Sequence, residues 1–375
     1  MRKKDSCSFE IFILLIFFLF ASCHREEEGG FEATPYPLNI PPFFPTKLNI
    51  PENNPLTVEG IALGEQLFHD KHLCGYTGNI PDSLMSCATC HARAYAYDIG
   101  MSSPRLQGGH VKGRGEKYTP HNVMPLFNLV FNHEGYFWNG MIYPDNPNPQ
   151  QRTLEDVVLM GIVAPHEMNS SPERTLVALK QNPTYPGLFK AAFGTPEITI
   201  ENISKAIAQY LRSLISANSK FDRYLQGIET LTANELHGYV LFTTEEGADC
   251  FHCHGSSGTP LFTSNLFYNN ALDAQCNDPR DRFAVTGQEH DRGAYRAPSL
   301  RNVEVTAPYM HDGRFETLDA VLQFYNMELV NSPWVHPLMH KIKQGGTLLT
   351  PSQIADLKAF LLTLTDEQFI GKTEK

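Results

Sequence analysis

Apolar residues recur along much of the chain at helical rather than strand spacing. In residues 57–68 the apolar positions Ile61, Leu63, Leu67 and Phe68 predict one helix, and Ile200, Ile203, Ile207, Leu211 and Leu214, following a Thr199 cap, predict another. Thr232 with Glu235, and Thr350 with Pro351 and Gln353, read as capping boxes. They open helices that carry Leu236, Tyr239 and Val240, and Ile354, Leu357, Leu361 and Leu364. Leu318, Val321, Leu322 and Tyr325 share one further helical face, so Tyr325 is expected to point inward with its neighbours. Alternating strand patterns are scarce. The expected architecture is mainly α, with long loops and a domain boundary near Gly227.

The N-terminus breaks this pattern. Arg2, Lys3 and Lys4 precede the apolar run 11–21, which is too short for the ~20 residues that span a bilayer. Together they read as an export signal over residues 1–22. Phe20-Ala21-Ser22-Cys23 looks like a lipobox, with Cys23 as the acylated first residue of the mature chain. Residues 29–56 hold Pro35, Pro37, Pro41, Pro42, Pro45, Pro51 and Pro55, and 23–56 is expected to be an extended tether. The expected location is the periplasm, with the membrane reached by a lipid anchor alone.

Charge narrows the partners. The full chain carries a net −11, and loss of residues 1–22 leaves −12, which argues against nucleic acid. A basic protein partner would be modestly steered by such a surface.

Cysteine usage adds the chemistry. Of eight cysteines, Cys7 lies in the signal and Cys23 at its end, which leaves Cys74, Cys87, Cys90, Cys250, Cys253 and Cys276. Cys87-Ala88-Thr89-Cys90-His91 and Cys250-Phe251-His252-Cys253-His254 are both C-x-x-C-H. In this spacing two thiols add across the vinyl groups of one porphyrin and the following His ligates the iron. A zinc ribbon would place its Cys pairs roughly 15–20 residues apart. Here they are 163 apart, and both carry the His. Two covalent c-type haems follow, with His91 and His254 as proximal ligands. For Cys74 and Cys276 a mutual disulfide and two separate thiols are both compatible with the sequence. Gly64-Glu65-Gln66-Leu67-Phe68 before the first motif parallels Gly238-Tyr239-Val240-Leu241-Phe242 before the second, a weak internal duplication. Residues 57–227 and 228–375 are therefore expected to form two cytochrome c-like haem domains.

Beyond these motifs the chain carries Asn54-Pro55-Leu56-Thr57, the stretch 63–70, Phe137-Trp138-Asn139-Gly140, Glu167-Met168, Pro298-Ser299-Leu300-Arg301-Asn302 and Ala307-Pro308-Tyr309-Met310-His311-Asp312-Gly313, in that order. It thus resembles the bacterial di-haem cytochrome c peroxidase and MauG family. That resemblance implies a peroxidatic N-terminal haem, a six-coordinate C-terminal haem that receives electrons, and Trp138 as a relay between them. It also implies Glu167 as the acid-base residue over the peroxidatic iron, with His166 beside it as a weaker candidate. Counting fourteen residues from His311 reaches Tyr325, where conventional members carry a Met; a Tyr ligand resembles MauG, and Met327 is the competing ligand. A calcium ion bound by Asn122, Thr306 and Pro308 is a further implication. His110, in a loop with Gly108, Gly109, Gly113 and Gly115, is the best candidate for a distal loop ligand, with His121 competing. MauG-like members lack such a His, and an open position is an equal expectation. Val157 departs from many relatives, which carry a Gln there.

The function implied is reduction of hydrogen peroxide to water, with electrons from a small cytochrome c or cupredoxin. The alternative is MauG-like oxidation of a protein or organic substrate through high-valent di-haem iron. A plain electron carrier would need neither Glu167 nor the Trp138 motif. A homodimer is a further expectation.

Overall fold

Threonine caps open the first two helices, as they do the predicted ones at Thr199, Thr232 and Thr350. Thr57 accepts from the amide of Gly60 at the start of α1 (Val58–His69), and Thr153 and Asp156 form a reciprocal capping box on α2 (Leu154–Val163). There follow α3 (Pro172–Leu179), α4 (Tyr185–Phe193), α5 (Ile200–Ser213), α6 (Lys220–Leu225) and α7 (Ala233–Phe242). The remainder comprises α8 (Phe251–His254), α9 (Phe283–Thr286), α10 (Leu318–Met327) and α11 (Pro351–Leu362). The computed structural model describes residues 31–78, 84–255 and 258–372. The expected signal and the lipidation site Cys23 lie outside them. Among the described residues no helix is long and apolar enough to cross a membrane. Among the described residues the strands form two short antiparallel pairs, β1 (Leu106–Gln107) with β2 (His110–Val111) and β3 (Phe267–Tyr268) with β4 (Tyr295–Arg296).

Two helix crossings organise the core, and each is set by a glycine. On α1, Gly64 lies against the Ala206 carbonyl of α5, where a Cβ would collide with backbone. On α7, Gly238 lies in the same way against the Asp356 carbonyl of α11. These are the glycines that head the two duplicated pentapeptides, so the repeat in the sequence is a repeated close crossing in space. Around the first crossing Leu63, Leu67, Ile203, Ile207 and Leu211 are buried in one apolar cluster. Around the second, Phe221, Phe242, Phe262, Leu357 and Phe360 form another. The changeover from the first cluster to the second falls between Leu214 and Phe221, and α6 packs with the second.

The proline-rich segment departs from the expected free tether. Tyr36 donates to the Leu56 carbonyl, Phe44 is buried against Val130, Phe131 and Leu261, and the Asn49 carbonyl accepts from Arg212. Proline forbids a helix here but leaves the apolar residues between the prolines able to pack. Arg212 itself is buried and held by Glu155 through two hydrogen bonds of 2.6 and 3.0 Å.

Gly64→Ala and Gly238→Ala are each expected to destabilise the chain by about 1–3 kcal/mol, because the added methyl forces the crossing helices apart. Denaturant midpoints of the two variants check this; midpoints equal to wild type would mean the crossings are not close-packed.

Candidate functional site

The first C-x-x-C-H segment folds as a 3-10 turn over Cys87–Thr89, and the His91 amide closes it on the Cys87 carbonyl at 3.0 Å. The turn brings Cys87, Cys90 and His91 onto the wall of a cavity of about 660 Å³. His91 Nδ1 lies 2.8 Å from the carbonyl of Tyr97. That carbonyl is turned toward it by left-handed backbone at Ala96 and Tyr97. A ring fixed through Nδ1 presents Nε2 to a metal. Burial lowers the His91 pKa to about 4, which keeps the ring in the neutral form that ligation needs.

The second segment repeats the device. Cys250, Cys253 and His254 line another cavity, of about 230 Å³, and His254 Nδ1 lies 3.1 Å from the Pro298 carbonyl. Burial lowers this His to about 4 as well. Leu318, Val321, Leu322 and Tyr325 of α10 face the same cavity, as their shared helical face predicts. Tyr325 is half-buried, and its hydroxyl accepts from Asn270 Nδ2 at 2.9 Å. Burial raises its pKa well above the ordinary phenol value. The competing Met327 is 60% exposed on the opposite side of α10.

Glu167 stands in the first cavity, just beyond α2. Its amide bonds to Ala164 and its carbonyl accepts from Arg114, which fixes the backbone that carries the carboxyl. Its side chain is 33% exposed, toward the cavity, and His166 Nε2 is 3.8 Å away. Burial raises the Glu167 pKa to about 7. The Cys87 and Cys90 thiols are raised to about 12, first by burial and then by the charge of Glu167, a measure of how near the carboxyl lies to the attachment point. Val157 lines the same cavity.

Trp138 belongs to both cavities. It lines each of them, and its Nε1 donates to the Asn122 carbonyl at 2.8 Å. Asn122 donates through Nδ2 to the Pro308 carbonyl at 2.6 Å, while its Oδ1 is buried with no hydrogen-bond partner. An unpartnered amide oxygen beside a carbonyl, with Thr306 and Pro308 on the adjacent wall, suits a hard cation once the amide is turned.

His110 is the exception. The glycine-rich loop folds as the β1–β2 hairpin, His110 Nδ1 lies 2.9 Å from the Thr119 carbonyl, and the ring does not line the cavity. Glycine at 108 and 109 serves the left-handed turn of that hairpin, so it gives a fixed loop where mobility was expected. His121 does line the cavity, but its Nε2 is held 2.6 Å from Asp278. Cys74 donates to the Lys71 carbonyl and Cys276 accepts from Asn269, and no disulfide joins them.

Two features had no sequence signal. Arg296 is buried, lines both cavities and leaves Nε without a partner; burial lowers its pKa to about 10. A buried guanidinium facing two such cavities fits the anionic propionates of a haem. Asp278 accepts from both His121 and Tyr295, and Tyr295 stacks on His311 with ring centroids 3.7 Å apart. This chain of polar rings runs from the first cavity to the second beside Trp138. Each residue taken singly is ordinary in the sequence, and only the fold assembles them.

Stability should report the Glu167 carboxyl. Its folded pKa, near 7, lies above the ordinary 4.5, so ionisation favours the unfolded chain and stability falls as pH rises from about 4.5 to 7. Glu167→Gln should therefore melt like wild type at pH 4 and above it at pH 8; equal melting at both would reject the raised pKa.

Comparison with known proteins agrees with this geometry. A family model described as di-haem cytochrome c peroxidase matches residues 58–230. The methylamine utilization protein MauG of Methylorubrum extorquens is 33% identical over 325 residues, 86% of this chain and 83% of that protein. The cytochrome c551 peroxidase of Nitrosomonas europaea is 29% identical, over 87% of this chain and 85% of its own. Among solved structures, a MauG-like protein associated with microbial copper homeostasis superposes with a TM-score of 0.75 at 31% identity, covering 90% of this chain and 97% of that one. With its motifs in order along the chain and two cavities to match, the chain belongs to the di-haem cytochrome c peroxidase and MauG family.

Proposed function

We propose that the chain reduces hydrogen peroxide to two waters in the cavity of Cys87, Cys90 and His91, drawing two electrons through the second cavity from a small periplasmic cytochrome c or cupredoxin. It is an oxidoreductase of the cytochrome c peroxidase type. Bound at the two C-x-x-C-H segments, the haems supply the iron at which the O–O bond breaks and the route by which electrons arrive.

The observation that carries this reading is Glu167, a carboxyl raised to about 7 in the same cavity as the attachment cysteines. A group that titrates near working pH can take a proton from one peroxide oxygen and return it to the other as that oxygen leaves as water. His91 and His254, each pinned through Nδ1, would hold the two irons. Trp138, in the wall common to both cavities, would serve as the relay. Arg296 would neutralise propionate charge, and Asn122, Thr306 and Pro308 would hold a calcium ion through oxygen ligands. Export to the periplasm and acylation at Cys23 belong to the same proposal and rest on the N-terminal sequence.

Tyr325 favours a second reading, MauG-like oxidation of a protein or organic substrate. Its phenol faces the second cavity while Met327 is exposed. A hard oxygen ligand favours oxidised iron more than a thioether does.

Glu167→Gln keeps the shape and removes the proton carrier, so peroxide turnover with a reduced donor cytochrome should fall by about 10²–10⁴-fold with both haem spectra retained. Stopped-flow consumption of peroxide measures this, and an unchanged rate rejects the role. If donor cytochromes and cupredoxins are not oxidised while an organic or protein substrate is, the second reading stands instead.

Tyr325→Met should raise the reduction potential of the C-terminal haem, whereas Met327→Leu should leave it where it is. Spectroelectrochemical titration separates the two. Loss of a ligand signal on Met327→Leu would return the assignment to Met327.

A further inference from the structure

Four polar side chains meet at the rim of the second cavity, outside the machinery described above. Glu245 and Asp249 come from the turn that leads into α8, His252 from within the second C-x-x-C-H segment, and His340 from the 3-10 turn His340–Gln344. Ligand atoms of Glu245, His252 and His340 all lie within 4.8 Å of one another. His252 Nε2 is 3.5 Å from Glu245 Oε1 and 3.1 Å from Asp249 Oδ1, and His340 Nδ1 is 3.1 Å from Asp249 Oδ2. The two imidazole rings stand nearly perpendicular, with centroids 5.0 Å apart.

Proximity alone would not make this a site. The second observation is that two of the converging atoms have no satisfactory partner. The Asp249 side chain is only 5% exposed, and both Asp249 Oδ1 and His252 Nε2 are buried without a hydrogen bond of acceptable geometry. A buried carboxylate oxygen aimed at a buried imidazole nitrogen, with neither satisfied, is costly unless something lies between or beside them. Two neutral imidazoles with two carboxylates leave a local charge of −2. Lys341 is the nearby cation that acts on Asp249.

We infer that Glu245, His252 and His340 bind a divalent transition-metal ion of the zinc or copper(II) kind, with Asp249 as a fourth ligand or as the carboxylate that orients the histidines. The mix of imidazole nitrogen and carboxylate oxygen suits these borderline ions, whereas calcium or magnesium would call for oxygen alone. A carboxylate that fixes metal-binding histidines is a recurrent second layer of such sites. The ion would clip the segment around residue 340 to the loop that carries Cys250 and Cys253, and Asp249 and His340 also line the second cavity. This site is independent of the peroxidase reading: it needs neither Glu167 nor a peroxide.

The test uses the full chain with both haems attached, stripped with a chelator and desalted, and titrated with zinc chloride by calorimetry. The expected result is one equivalent bound. His340→Ala and Glu245→Gln should each weaken binding at least about tenfold, and Glu245→Gln, whose side chain does not line the haem cavity, should do so with haem absorbance and peroxide turnover unchanged. His290→Ala, at an exposed histidine elsewhere, should bind as wild type. Loaded with copper(II), the wild type should show electron paramagnetic resonance splitting from two nitrogen ligands, and His340→Ala from one. Absence of a stoichiometric equivalent in the wild type, or wild-type binding by His340→Ala, would overturn the assignment.

Discussion

The two halves of the chain meet at a wall that both cavities share, and three hydrogen bonds close it. The Asn122 amide donates to the His311 carbonyl at 2.7 Å, Trp138 Nε1 donates back to the Asn122 carbonyl, and the Arg296 amide donates to the Trp138 carbonyl at 2.7 Å. Residues 122 and 138 belong to the first half, 296 and 311 to the second. Because these are buried backbone and indole bonds, each group that lost its partner would face a desolvation penalty of about 1–3 kcal/mol. The indole therefore cannot drift toward either cavity without unpairing its neighbours. A relay residue gains its usefulness from being held at a fixed place between two redox centres, and here the same bonds that close the fold supply that fixity.

Burial does the electrostatic work on either side of this wall. It keeps His91 and His254 neutral, raises Glu167 and Tyr325, and lowers Arg296. Elsewhere the chain pairs its buried charges: Arg301 forms a salt bridge with Asp222, and Arg212 with Glu155. The contrast marks out which buried ions serve the fold and which face a cavity.

What the sequence made legible follows from spacing. C-x-x-C-H is local, so Cys87, Cys90, His91 and their counterparts could be named before any fold existed. Helix caps are equally local, and the helices opened by Thr57, Thr199, Thr232 and Thr350 form as expected. Tyr325 was reached by the count from His311 that the family resemblance supplied, and helical periodicity along one short element turned it inward. The misses are of another kind. Proline content at 35–55 was read as an extended tether, yet Phe44 packs against residues far along the chain. Glycines around His110 were read as mobility, yet they serve a tight hairpin. Arg296, Asp278 and the Asp249–His340 pairing depend on contacts between distant segments, and no window on the sequence contains both partners.

The paired glycine crossings have one more consequence. Backbone contact at Gly64 and Gly238 closes each crossing upstream of its haem segment. The connecting stretch is nineteen residues from Phe68 to Cys87 but eight from Phe242 to Cys250. The helix pair thus acts as a gauge that fixes where the histidine must stand, while the loop between serves as slack that can lengthen. Residues inserted there would lengthen the connection without moving the crossing, so one half could gain length while the other kept the shorter form.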